Sequence, residues 1–135
     1  ARQEFDYVLV DLPSDWTSWA LSVVMAASTV LMVTELSVAS LRQAKRRLDL
    51  FAATGIDTAK VGIVANRVER RLFRPIKLDD VEEVLGQKVV AVLADADDEL
   101  TSAQNEGRLL PHAGGDGGFA GSIRKLARTL WQEGK

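Results

Sequence analysis

The chain has 135 residues, 47% of them hydrophobic and 27% charged, with a formal net charge of −2. That is one domain's worth of sequence with enough apolar residues for a real core, which excludes a disordered chain. The near-neutral charge excludes a global pull toward nucleic acid, and the absence of cysteine excludes disulfides and thiolate metal sites. In chain order, residues 6–12 read as a strand buried on both faces, with Val8, Leu9 and Val10 in a row and Asp11 near its end. Residues 17–27 read as a helix with Ala20, Leu21, Val24 and Met25 on one face. Residues 29–34, "TVLMVT", are a β-branched second strand. Ser37 is placed to cap a helix running to about Thr54, with Leu41, Ala44, Leu48 and Phe51 as its apolar stripe and Gly55 as its stop. "VGIVAN", 61–66, is a third strand, and 67–76 a basic loop. A short helix spans 78–85, with Leu78, Val81, Val84 and Leu85 inward and Gly86 ending it. "KVVAVLA", 88–94, is a fourth strand. A helix from about Asp97 to Glu106, a glycine-rich loop over 107–118 and a terminal amphipathic helix over 119–133 complete the chain.

The most apolar stretch, residues 19–36, is interrupted by Ser22, Ser28, Thr29 and Thr34. A membrane span needs roughly 20 mostly apolar residues, so a buried helix followed by a buried strand explains it better. Strand and helix alternate along the whole chain, which predicts an α/β fold with a mostly parallel sheet and flanking helices. Ligands of open α/β sheets sit beyond the carboxyl ends of the strands. Those ends carry Asp11, Thr34, Asn66 and Asp95, which should line one edge.

Three chemistries compete for that edge. A phospho-aspartate receiver needs an acidic pair at its first strand end and a lysine after its last strand, and Lys88 precedes its strand instead. DNA binding would use Arg42, Lys45, Arg46 and Arg47 on one helix and Arg67, Arg70, Arg71, Arg74 and Lys77 in one loop. A solvated helix face and loop is the plainer account of those charges, because Glu69, Asp79 and Asp80 dilute the field. Nucleotide binding would use Asp11 as an oxygen ligand near Mg²⁺, against the plainer account of a helix cap. Among single residues, Trp16 and Trp19 read as packing of a helix start onto the sheet, and Thr34 and Glu35 as a cap for the helix that follows. His112 reads as a solvated loop histidine, and Leu109 and Leu110 as apolar anchors of their loop. The acids Asp97, Asp98 and Glu99 suit a helix N-terminus.

The ordered set "FDYVLVDLPSDW", "VTELS", "LRQAKRRLDL", "VGIVANRVER", "LDDVEEVLGQKV", "SAQNEGRLL" and "SIRKLARTL" resembles the second half of MinD/ParA-type P-loop ATPases. Within them it most resembles the CpaE/TadZ branch of Flp (Tad) pilus assembly proteins. The resemblance implies ATP and Mg²⁺ as cofactors of the parent protein, with Asp11 at the Walker B position acting on the metal through water. It implies Asn66 and Arg67 on the adenine side, and Leu93, Ala94 and Asp95 on the other side of the base; Ala94 and Leu109 stand where the family usually has proline. It implies partners too: self-association as a dimer, and the pilus secretion machinery, on the cytoplasmic face of the inner membrane at a cell pole. A ParA-like DNA-partitioning ATPase and a nucleotide-free interaction domain are the alternatives.

No lysine-bearing glycine loop that could cradle phosphates is present; "GGDGG" has no lysine and follows no strand. The chain starts at Ala1 with no initiator methionine and no secretory leader. It therefore reads as the portion of a longer domain that lacks the phosphate loop, inactive as an ATPase alone. The resemblance places the family's first strand between 6–12 and 29–34. The expected consequence is pairing between copies, a swapped dimer, or a rearranged sheet in which those two strands meet.

Overall fold

The structure, a computed structural model, describes residues 4–13, 17–69, 76–109 and 118–133. Its elements are α1 (Ser18–Ala26), β1 (Val30–Glu35), α2 (Val38–Ala53), β2 (Val61–Val68), α3 (Leu78–Leu85), β3 (Val89–Ala94), α4 (Asp97–Asn105) and α5 (Gly118–Glu133), with a 3₁₀ turn at Thr58–Lys60. The strands form one parallel sheet in the order β1-β2-β3. The fold is thus α/β with a parallel sheet and flanking helices, as the alternating pattern predicts.

Local chemistry sets most boundaries. The Ser37 hydroxyl accepts from the Ser40 N–H at 3.1 Å and caps α2. That side chain, rather than Thr34 or Glu35, satisfies the helix start. Gly55 (φ 76) and Gly86 (φ 65) take the left-handed conformation that closes α2 and α3. The Asp80 carboxylate accepts from the Lys77 N–H at 2.8 Å and fixes the entry to α3.

β2 is the central strand, and its residues Val61 to Ala65 are all buried. On one face, Met32, Val61 and Ile63 join Val24 of α1, Leu41, Ala44, Leu48 and Phe51 of α2, and Val81 and Leu85 of α3 in a single core cluster. On the other face, α5 packs against β3. Leu31, Gly62 and Val90 there face Leu126, Thr129 and Leu130 across a cavity of about 470 Å³ at the sheet's N-terminal edge. Gly62 is required by close approach: a Cβ built on it would lie 2.8 and 2.9 Å from the two Val90 γ-carbons.

Several expectations need correction. Residues 6–12 do not form a strand; the segment has no regular secondary structure and pairs with no described strand. A ladder needs a partner whose N–H and C=O groups match its own, and among the described residues neither this run nor the outer edge of β1 has one. The rearranged sheet in which the two meet is therefore not formed. Leu9 is 89% exposed. The run is held at two points, by Leu12, which packs against the core cluster, and by Tyr7, whose ring stacks on Trp131 with centroids 4.8 Å apart. Met25, Val84, Trp19 and Leu109 are exposed rather than packed. Arg67 and Val68 extend β2 rather than opening a loop. Trp16, His112, Leu110, the arginines at 70, 71 and 74, and most of the glycine-rich loop lie outside the described residues.

Candidate functional site

Parallel register brings three of the four anticipated strand-end residues together. Thr34 pairs with Ala65, Glu35 pairs with Asn66, and Val68 pairs with Ala94. The Asp95 N–H then donates to the Val68 carbonyl at 3.3 Å. Thr34, Asn66 and Asp95 therefore follow one another along the carboxyl edge of the sheet, where ligands of α/β folds bind. Asp11 does not join them through the sheet, because its segment is not a strand. Its carboxylate is exposed and makes no hydrogen bond or ion pair among the described residues.

The edge carries two open clefts. One, about 310 Å³, lies between β1 and α2 and is lined by Thr34, Glu35, Ser40, Gln43, Arg47 and Asn66. The other, about 560 Å³, is lined by Glu69, Ala94, Asp95, Glu99 and Phe119 among others. Asn66 thus belongs to the first cleft, and Ala94 and Asp95 to the second. Leu93 is only 6% exposed and supports the floor of the sheet rather than either cleft.

Arg67 lines neither cleft; its side chain spans the edge. Nη1 lies 3.4 Å from Glu35 Oε1, and Nη2 lies 3.2 Å from Asp97 Oδ1. The sequence points to Arg67 as a site residue but gives no sign of these partners. They come from the end of β1 and the start of α4, and only the fold brings them near. The only advance signal was the acidic start of α4, Asp97-Asp98-Glu99, which also suits the helix dipole.

Chemically, the first cleft offers two amides, two hydroxyls, a guanidinium and a carboxylate, a set able to hydrogen-bond a polar heterocycle. For Mg²⁺ the fit is partial. No group of three or more carboxylate or imidazole side chains that could hold a metal forms among the described residues. Mg²⁺ keeps several waters and takes one or two carboxylates plus phosphate oxygens. A single exposed, uncommitted carboxylate such as Asp11 fits the role of a water-mediated partner and no more. The basic face of α2 is less concentrated than its sequence suggests: Lys45 is paired with Asp49 at 2.8 Å, and Arg47 turns into the first cleft. None of the described helices is long and apolar enough to cross a membrane.

No family model matches the chain. The septum site-determining protein MinD of Thermotoga maritima is 26% identical over 133 residues, covering 96% of this chain and 48% of the relative. The chain is homologous to part of the MinD/ParA-like P-loop ATPases. It spans about half the length of the relatives it matches. Among solved structures, the cell division ATPase MinD of Pyrococcus furiosus shares the fold at a TM-score of 0.74 and 23% identity, over 96% of this chain and 53% of that one. A ParA family ATPase from Chlorobium tepidum does so at a TM-score of 0.61 and 18% identity, over 87% and 45%. The parallel sheet and its flanking helices are thus a partial MinD/ParA-like architecture, and the strand-end edge is the part of it on which ligand chemistry would be sought.

Proposed function

We propose that this chain is the base-side portion of a MinD/ParA-like nucleotide switch. The phosphate loop would be supplied by the part of the domain that these residues do not span, and ATP with Mg²⁺ would control self-association. The observation that carries the reading is the strand-end edge, where register sets Asn66 beside the mouth of one cleft and Asp95 beside the next. In this reading the Asn66 amide meets the base edge, Ala94 and Asp95 wall its other side, and Leu93 backs them. Asp11 acts on the metal through a water. Alone, the chain binds no phosphate tightly and turns over no ATP.

The finer assignment, a CpaE/TadZ-like protein that positions or assembles the Flp pilus machinery at the cytoplasmic face of the inner membrane, is supported by the sequence segments "DLP", "VTELS" and "LRQAKRRLDL". It is preferred over DNA partitioning because the α2 cations are partly spent on Asp49 and the first cleft.

The test is ATP and GTP binding, with Mg²⁺, by the full-length parent protein carrying Asn66→Ala. Loss of an amide that pairs with the base should reduce the preference for ATP over GTP by about tenfold. An unchanged preference in a folded protein removes Asn66 from the site. Deleting the gene should abolish surface pili; intact pili together with a plasmid-loss phenotype would favour partitioning instead.

A further inference from the structure

The end of β2 is irregular. Its register against β3 shifts between Ala65 and Val68. Within that shift Arg67 has φ 52, the one positive φ at a non-glycine residue among those described. A left-handed backbone is unfavourable for a residue with a Cβ, and it persists only where the surroundings hold it. Here the side chain is held at both ends. One side of the guanidinium meets Glu35, the last residue of β1, at 3.4 Å; the other meets Asp97, the first residue of α4, at 3.2 Å. The planar fork suits this double reach, because its two Nη groups point in fixed, divergent directions, whereas a lysine would have to bring one compact ammonium within reach of both carboxylates. The residues on either side of this strap in space are Asn66 in one cleft and Asp95 in the other.

We propose that Arg67 is a positioning residue: its guanidinium bridges Glu35 and Asp97 and thereby fixes the separation between the Asn66 cleft and the Asp95 cleft. The bulge and its left-handed residue aim the side chain along the edge instead of letting it alternate into a face. The proposal rests on geometry alone and stands whether or not a nucleotide occupies the clefts, so its failure and failure of the nucleotide reading are separate results.

Amide hydrogen exchange on the 135-residue protein tests it, using Arg67→Met, Arg67→Gly and Arg67→Lys. Two amides report on the strap: Leu100 N–H, which donates to Ala96 O at 2.9 Å in the first turn of α4, and Asp95 N–H, which donates to Val68 O. A third, Ile63 N–H, which donates to Lys88 O at 2.9 Å toward the opposite edge, is the control. Arg67→Met should speed exchange at Leu100 and Asp95 about fivefold, the scale of losing two exposed ion pairs, with Ile63 within about twofold. Arg67→Gly tolerates the left-handed backbone but lacks the bridge, so it should match Arg67→Met. Arg67→Lys should fall between. Wild type in 1 M salt should approach the variants, since exposed charges are screened there. Unchanged exchange at both reporters, uniform acceleration that includes Ile63, or protection restored by Arg67→Gly would each overturn the proposal.

Discussion

Two apolar, strand-like runs of this chain have opposite fates. "YVLV", residues 7–10, lies in an irregular segment with Leu9 89% exposed, whereas "VGIVA", residues 61–65, is the centre of the sheet with Ile63 fully buried. Both read as buried strands. What separates them is neighbours: β2 has β1 on one side and β3 on the other, while 7–10 has no described strand on either. A strand is a relation between segments, so hydrophobicity and β-branching set only the willingness to pair. The same comparison explains why Asp11 lost its place on the edge while Asn66 kept its own.

The largest effect should come from cutting the centre of β2. Ile63→Ala removes a fully buried side chain from the core cluster it shares with α2 and α3. It should cost about 2–5 kcal/mol of unfolding free energy, read from the urea midpoint. A cost under 1 kcal/mol would mean that the sheet is not the stable centre of the molecule.

Next comes Gly62→Ala. The new methyl would meet both Val90 γ-carbons inside 3 Å. Val90 is β-branched and held by its strand, so the strain should cost about 1–3 kcal/mol. Adding Val90→Ala should recover part of it, and a double-mutant cycle measures the coupling. Strict additivity would mean that the two residues do not touch. No position in the run 5–12 is expected to show such coupling to a neighbouring strand.

Lys60 ties the end of α1 to the entry of the sheet. Its ammonium donates to the carbonyls of Val24, Met25 and Ala27 at 2.8, 3.0 and 3.0 Å, so it caps the C-terminus of α1 from the 3₁₀ turn just before β2. Cations stabilise helix C-termini, where carbonyls lack partners. Lys60→Met keeps the stem and loses the cap. It should cost about 1 kcal/mol and loosen α1 more than α2, seen as faster amide exchange in α1 alone. Equal loosening of both helices would show that Lys60 serves the core in general.

Much of this was legible in sequence, for a physical reason that recurs. The cap at Ser37, the stripe Leu41–Ala44–Leu48–Phe51 and the stops at Gly55 and Gly86 are local chemistry, and they hold as read. So does the order of Thr34, Asn66 and Asp95 along the edge, because register follows from the strands themselves. What escaped was tertiary. Nothing near Lys60 announces three carbonyls from a helix more than thirty residues earlier. Nothing near Arg67 announces Glu35 and Asp97. Met25 and Val84 fit their helical stripes yet face outward, because periodicity gives a face but not how much of it is covered.

The smallest effect should come from the exposed run, and it sharpens the comparison most. Leu9→Lys changes an apolar side chain that is already in water, so no burial is lost and the unfolding free energy should stay within about 0.5 kcal/mol of wild type. Tyr7→Ala serves as its internal reference. It removes the ring stacked on Trp131 and the hydroxyl that donates to the Trp131 carbonyl at 3.3 Å. An aromatic pair of this kind contributes about 0.5–1.5 kcal/mol beyond its area, so Tyr7→Ala should lower the midpoint measurably where Leu9→Lys does not. Both variants should be measured at two protein concentrations a hundredfold apart. If Leu9→Lys destabilised the protein at high concentration and not at low, the run would have found its ladder in another copy. Residues 7–10 would then be a strand awaiting a partner, and the contrast with β2 would be one of supply rather than of sequence.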